Sequence, residues 1–110
     1  MRLLVTGGRL YQDRNHVWSV LSRLKPHISF LIVGDASGVD TMAADWARAT
    51  LTPYRVVNAP WGILGNGAGH LRNAYMLDLR PDFVLAFDGG DGTKNCIKQA
   101  KDRHIPVMSA

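Results

Sequence analysis

The stretch Asp88-Gly89-Gly90-Asp91-Gly92-Thr93 holds the residues best suited to chemistry. Glycines let a backbone turn tightly and come close to a ligand that a Cβ would exclude. A helix begun there presents unpaired amides and the positive end of its dipole, a ready seat for phosphate. Thr93 is placed either to cap that helix or to donate its hydroxyl to a phosphate oxygen. The plainer alternative is a tight strand-to-helix turn, because a short glycine motif is weak evidence alone. Gly7-Gly8-Arg9 makes a second such loop. There Arg9 either clamps phosphate through its planar fork or is an ordinary surface arginine.

Two more loops carry polar residues at suggestive spacing. Ser37 and Asp40, beside Gly34 and Gly38, have the S-x-x-D spacing of a capping box. Asp40 then either complements a helix N-terminus or binds a ribose hydroxyl or polarises a water. Gly65-Asn66-Gly67-Ala68-Gly69 leads into Arg72-Asn73. At the first turn of a helix, Arg72 would meet phosphate and Asn73 a base or sugar; the alternative is an exposed helix start. Trp61 either stacks on a base or packs its own loop down. Asp88 and Asp91 alone are a poor ligand pair, and His16, His27, His70 and His104 lack metal-ligand spacing. No metal site is expected.

These loops need a frame. Arg2 to Thr6 reads as a short apolar strand ended by Gly7-Gly8. Asp13 can cap a helix with Val17, Val20, Leu21 and Leu24 at helical spacing, stopped by Pro26. Ile28 to Val33 is a continuous apolar run, as in a strand covered on both faces. Val39, Met42, Ala43, Trp46, Ala47 and Thr50 mark a helical stripe, and Pro53 breaks it. Tyr54 to Asn58 reads as a third strand. A helix over His70 to Leu79 is expected to turn Leu71, Ala74 and Tyr75 inward. Phe83 to Phe87 is a strong strand, followed by a helix to about Arg103 with Ile97 and Ala100 inward. Ile105 to Met108 is a last strand, and Pro106 favours an edge position for it. The order βαβαβαβαβ predicts a parallel sheet with helices on both faces. Ligands in such sheets sit beyond the carboxyl ends of the strands, where all four loops fall.

Composition narrows the class. The chain has 110 residues, enough for one domain spanning 1–110 and one core. Its 46% hydrophobic and 20% charged content suits a globular protein, not a disordered tail. No apolar run approaches membrane-spanning length, and Met1 to Gly8 lacks the pattern of a signal peptide. Cys96 is the lone cysteine, which excludes a disulfide framework and suits a reducing cytoplasm. The net charge of +4 favours anionic partners. All nine acidic residues are Asp, with no Glu.

Taken together the four loops resemble the SLOG superfamily, specifically the small YspA-like, cpYpsA-related SLOG proteins. The resemblance rests on Thr6-Gly7-Gly8-Arg9, on Gly34 to Asp40 with Ala43, Ala44, Trp46 and Ala47, on Ala68-Gly69-His70-Leu71-Arg72-Asn73 with Met76, and on Phe87 to Thr93. It implies a Rossmann-like three-layer α/β/α sandwich, with a five-stranded parallel sheet of order 3-2-1-4-5. It also implies a bound nucleotide or nucleotide-derived ligand, with no further cofactor required. Its phosphate would lie on Gly89, Gly90, Gly92 and Thr93 beside Gly7 and Gly8. Arg9 and Arg72 would add charged contacts, and Asp40 would touch ribose.

Two alternatives follow from relatives of that family. Lonely Guy phosphoribohydrolases carry a motif similar to P-G-G-x-G-T-x-x-E, whose Glu assists glycosidic cleavage. Here Asp88 stands at the Pro and Cys96 at the Glu. A thiol is a poor substitute for a carboxylate that stabilises positive charge, which leaves Asp40 and Asp88 as catalytic candidates. The DNA-processing branch implies single-strand binding, for which a basic track with interleaved aromatics is not evident. Phage and mobile-element settings also come with the resemblance. No membrane partner is expected, and self-association is compatible with so small a sheet.

Overall fold

Apolar side chains alternate along each central strand, so both faces of the sheet must be covered. The computed structural model describes residues 1–59 and 67–110. Its strands are β1 (Arg2–Thr6), β2 (Phe30–Gly34), β3 (Tyr54–Val57), β4 (Phe83–Ala86) and β5 (Val107–Ser109). They form a five-stranded sheet of order β3-β2-β1-β4-β5. Every pairing is parallel, with Leu4 opposite Ile32 on one side and Val84 on the other. This is the expected Rossmann-like order.

The helices are α1 (Arg14–Leu24), α2 (Val39–Ala49), α3 (Gly67–Asp78) and α4 (Asp91–Asp102). Leu3, Val5, Leu31 and Val33 point to one face, where Val17 and Leu21 of α1 and Val39, Ala43 and Trp46 of α2 cover them. Leu4, Ile32 and Val84 point to the other, under Met76 and Leu77 of α3 and Cys96 and Ala100 of α4. No described helix is long and apolar enough to cross a membrane.

Local signals set most boundaries. The Asp13 carboxylate accepts the His16 N–H at 3.0 Å and caps α1. Pro26 lies in a 3-10 turn, Lys25–His27, that follows this helix. Ile28 closes that turn through its N–H to the Lys25 carbonyl at 3.1 Å. β2 therefore begins at Phe30, two residues later than the apolar run suggests. Likewise the Ile105 N–H bonds Ala100 at the end of α4, and Pro106 has no N–H to give, so β5 begins at Val107. It is an edge strand, as Pro106 foretold.

The largest departure concerns α3. Its buried residues are Ala68, Gly69, Arg72, Asn73, Met76 and Leu77. Leu71 and Tyr75, expected inward, are exposed by 37% and 54%. The helix is rolled so that an arginine and an asparagine face the sheet, and the reason lies in the site below. We expect Leu71→Gln and Tyr75→Gln each to shift unfolding free energy by no more than about 0.5 kcal/mol. Met76→Ala should cost roughly 2–5 kcal/mol. Urea denaturation of the three variants measures the difference; equal losses would contradict this helix orientation.

Candidate functional site

β1 and β4 lie side by side, yet α1 and α4, which follow them, leave toward opposite faces. Their exit loops diverge and leave a crevice, the switch point where doubly wound sheets bind ligands. A cleft of about 1010 Å³ opens there, lined by Thr6 to Tyr11, Ala36, Asp40, Gly69, His70, Arg72, Asp88 to Thr93, and Asn95. The two exit loops are stitched together: the Gly8 N–H donates to the Asp88 carbonyl at 2.9 Å.

The glycines fall into two groups. At Gly7 a Cβ would strike the Val39 side chain, and at Gly89 it would meet Thr93 and the Gly8 backbone. Gly38 has φ +74° and packs on the Gly8 and Arg9 carbonyls. Those positions are glycine because the protein itself fills the space. Gly90 and Gly92 differ, since a Cβ at either would meet no heavy atom within 4 Å. Neither has a positive φ among the described residues. Gly90 is the N-cap of α4, so Asp91, Gly92 and Thr93 already form its first turn. Amides in a first turn lack intrahelical partners. Thr93 is therefore not the cap; its side chain is buried inside the helix start.

Beneath the opening lies a charged cluster. Arg72 is 7% exposed. Its Nη1 donates to Asp35 Oδ1 at 2.8 Å and stands 3.9 Å from Asp40 Oδ2. The other Asp35 oxygen accepts the Ala59 N–H at 3.0 Å. Arg72 thus reaches the cleft wall already ion-paired, rather than as an open phosphate clamp. A Cβ on Gly34 would collide with both the Arg72 guanidinium and the Asp40 carboxylate. Asp40 accepts the Ala36 N–H at 3.2 Å. Burial raises its pKa to about 6, against the pull of Arg72 and that N–H and with Asp35 adding to the rise.

The remaining predicted residues separate. Arg9 is exposed on the rim, and no described carboxylate pairs with it. Asp88 is also exposed at the cleft. Asn73 is 1% exposed and does not line the cleft. Its amide donates to the Gly92 carbonyl at 3.0 Å and to Asn95 at 3.2 Å, bracing the glycine loop from behind. Ser37 makes no capping box: Gly38 is the N-cap of α2, and the Ser37 hydroxyl donates to the Arg9 carbonyl at 3.1 Å. A box fails because its first residue must be the cap itself. Cys96 is fully buried, and burial pushes its thiol up to about 11 against a hydrogen bond with the Thr6 side chain and the pull of Arg72. Trp61, Gly65 and Asn66 lie outside the described residues.

Sequence reasoning passed over Asp35, Leu10 and Tyr11. Asp35 follows β2 directly, a position at the ligand-binding edge of such sheets, which was its available signal. Among the described residues no group of three or more His, Cys, Asp or Glu side chains could hold a metal ion.

Comparison with known proteins agrees with this fold. Residues 1–62 match the YspA, cpYpsA-related SLOG family. The Gene 61 protein of Mycobacterium phage D29 is 34% identical, over 98% of this chain and 94% of its own length. The structure of DNA processing protein A from Streptococcus pneumoniae superposes with a TM-score of 0.84 at 15% identity. That match covers 98% of this chain and 49% of the other, so this chain spans about half of that protein.

Two outcomes follow for the cluster. Gly34→Ala should lose about 1–3 kcal/mol of stability in chemical denaturation, because a rigid ion pair occupies the methyl's place. Asp40 keeps its proton in the folded state up to pH of about 6, whereas unfolded it releases it near 3.8. Folding stability therefore falls as pH rises between those values and levels off above them. Relative to wild type, Asp40→Asn should gain roughly 2 kcal/mol between pH 4 and pH 7. Urea melts across that range test it, and a difference independent of pH would contradict it.

Proposed function

Because this chain belongs to the YspA, cpYpsA-related SLOG family, we propose that it is a binding module for a nucleotide or nucleotide-derived ligand. The phosphate sits on the first-turn amides of α4, between Gly90–Thr93 and the Gly7-Gly8 turn. The observation that carries this is the empty space beside Gly90 and Gly92. Both positions tolerate a side chain as far as the protein is concerned, and at Gly92, inside the helix, glycine is unfavourable by up to about 1 kcal/mol relative to alanine. A ligand held close to the backbone accounts for both. Arg9, exposed at the rim, supplies a mobile positive charge to the same anion. Arg72 and Asp40 form the floor, Asp40 within reach of a ribose hydroxyl. No further cofactor is called for, and the reducing cytoplasm suits the lone buried thiol.

The likeness in fold to DNA processing protein A supports a second reading, in which the same cleft holds single-stranded nucleic acid. The backbone phosphate of a strand would use the same amides. Its affinity would then rise with strand length and fall with salt. A hydrolase acting on the N-glycosidic bond would have to draw its carboxylate from Asp40 or Asp88, because Cys96 is sealed in the core.

Gly92→Val separates a ligand-facing glycine from a structural one. It should fold as well as wild type, by thermal melting and circular dichroism, because the valine enters open space. It should also weaken binding of nucleoside monophosphates at least about tenfold, or roughly 1.4 kcal/mol, in calorimetric titration. Unchanged affinity in a folded Gly92→Val protein would remove the α4 N-terminus from the site. Tight binding only to oligonucleotides would favour the second reading.

A further inference from the structure

The cleft is far larger than a phosphate. At about 1010 Å³ it lies at the top of the range for sites that enclose drug-sized ligands. One stretch of its wall is apolar and unaccounted for by phosphate binding. Leu10 and Tyr11 line the cleft beside Arg9, and Leu10 is 84% exposed. A single exposed leucine means little. This one sits in a turn whose flanking residues are hydrogen-bonded to the rest of the fold.

The Tyr11 N–H donates to the Gly8 carbonyl at 3.2 Å, closing a turn with Arg9 and Leu10 at its two corners. The same Gly8 carbonyl accepts the Val39 N–H at 3.3 Å. The Ser37 hydroxyl holds the Arg9 carbonyl, and Gly38 packs directly on both carbonyls. On the far side the Gly8 N–H is bound to Asp88. The Tyr11 ring rests edge-on against Phe87, centroids 5.8 Å apart at 63°, and Phe87 is itself 2% exposed. Desolvation, with Asp13 and Asp88 nearby, raises the Tyr11 phenol above its ordinary value, and a tyrosine is neutral at physiological pH in any case. A braced turn thus presents a leucine and a neutral aromatic ring to the cleft that also holds the α4 amides.

We propose that the Gly8–Tyr11 turn is the base-recognition wall of the site, with Leu10 and Tyr11 packing on the heterocycle of a nucleotide. This rests on the phosphate-binding reading above and adds what the phosphate cannot supply, namely discrimination of nucleotides from sugar phosphates. Flat heterocycles pack on aromatic and aliphatic side chains with little regard to base identity. The wall selects for the presence of a base. The brace matters because a pre-ordered surface loses less entropy on binding than a loose one.

Calorimetric titration of wild type with AMP, GMP, CMP, UMP and ribose 5-phosphate tests this. At least one nucleotide should bind about tenfold or more tighter than ribose 5-phosphate. Leu10→Ser and Tyr11→Ala should lower nucleotide affinity toward the ribose 5-phosphate level while leaving ribose 5-phosphate itself unchanged. Leu10 is exposed, so Leu10→Ser keeps the test valid even where Tyr11→Ala unfolds. Tyr11→Phe should retain nucleotide affinity. Equal binding of all five compounds by wild type, or equal weakening of all five in Leu10→Ser, overturns the base wall and leaves the phosphate site standing. No binding of any of the five overturns both.

Discussion

A guanidinium buried against the end of a parallel sheet dictates much of what surrounds it. Arg72 cannot be left without carboxylates, because an unpaired buried charge costs several kcal/mol. Asp35, at the exit of β2, supplies the short contact, and Asp40 adds a second carboxylate from the first turn of α2. Asp35 also takes the Ala59 N–H just beyond β3. One ion pair therefore ties together two strand ends and α3. Gly34 is glycine because the guanidinium occupies the place of its side chain. α3 is rolled to deliver Arg72 and Asn73 inward, which leaves Leu71 and Tyr75 outside. Among the described residues, no buried side-chain polar atom lacks a partner.

The second constraint is topological. Helices on both faces of a sheet of this order must part company between β1 and β4, and the loops above that point cannot close over it. Here they are linked by one backbone bond and shaped by glycines of two kinds. Gly7, Gly34, Gly38 and Gly89 make room for protein atoms. Gly90 and Gly92 make room for nothing in the protein. The same residue type thus serves packing at one edge of the cleft and leaves open space at the other. Asn73 links the two roles, since it is buried for packing and holds the Gly92 carbonyl.

The chemistry available is set by what reaches the opening. Asp40 does, at the floor, as a carboxylate whose burial keeps it protonated to unusually high pH. Cys96 does not, although it occupies the position where Lonely Guy phosphoribohydrolases carry a Glu. Its thiol belongs to the apolar layer under α4, beside Ala100 and Val84. An apolar, braced wall on one side and exposed amides on the other suit a ligand with a flat end and an anionic end.

Strands, their order and the four loops were legible in the sequence. Local alternation, glycine pairs and prolines report backbone geometry, and the family resemblance supplied the order in which strands sit. Gly89 to Thr93 could be located as a glycine turn into a helix start for the same reason. Side-chain partners distant in the chain were not legible. Periodicity assumes that apolar residues face inward, and it therefore misoriented α3, where a buried ion pair outweighs two apolar side chains. The S-x-x-D spacing at Ser37 and Asp40 promised a cap, yet the close approach of Gly38 to Gly8 decided which residue begins α2. Asp35 meets Arg72 across 37 residues of chain, and no local pattern encodes such a contact. Sequence by itself determined where the chain turns and which loops share an edge. Tertiary structure decided which charges meet there, because burial and partnering are properties of neighbours in space.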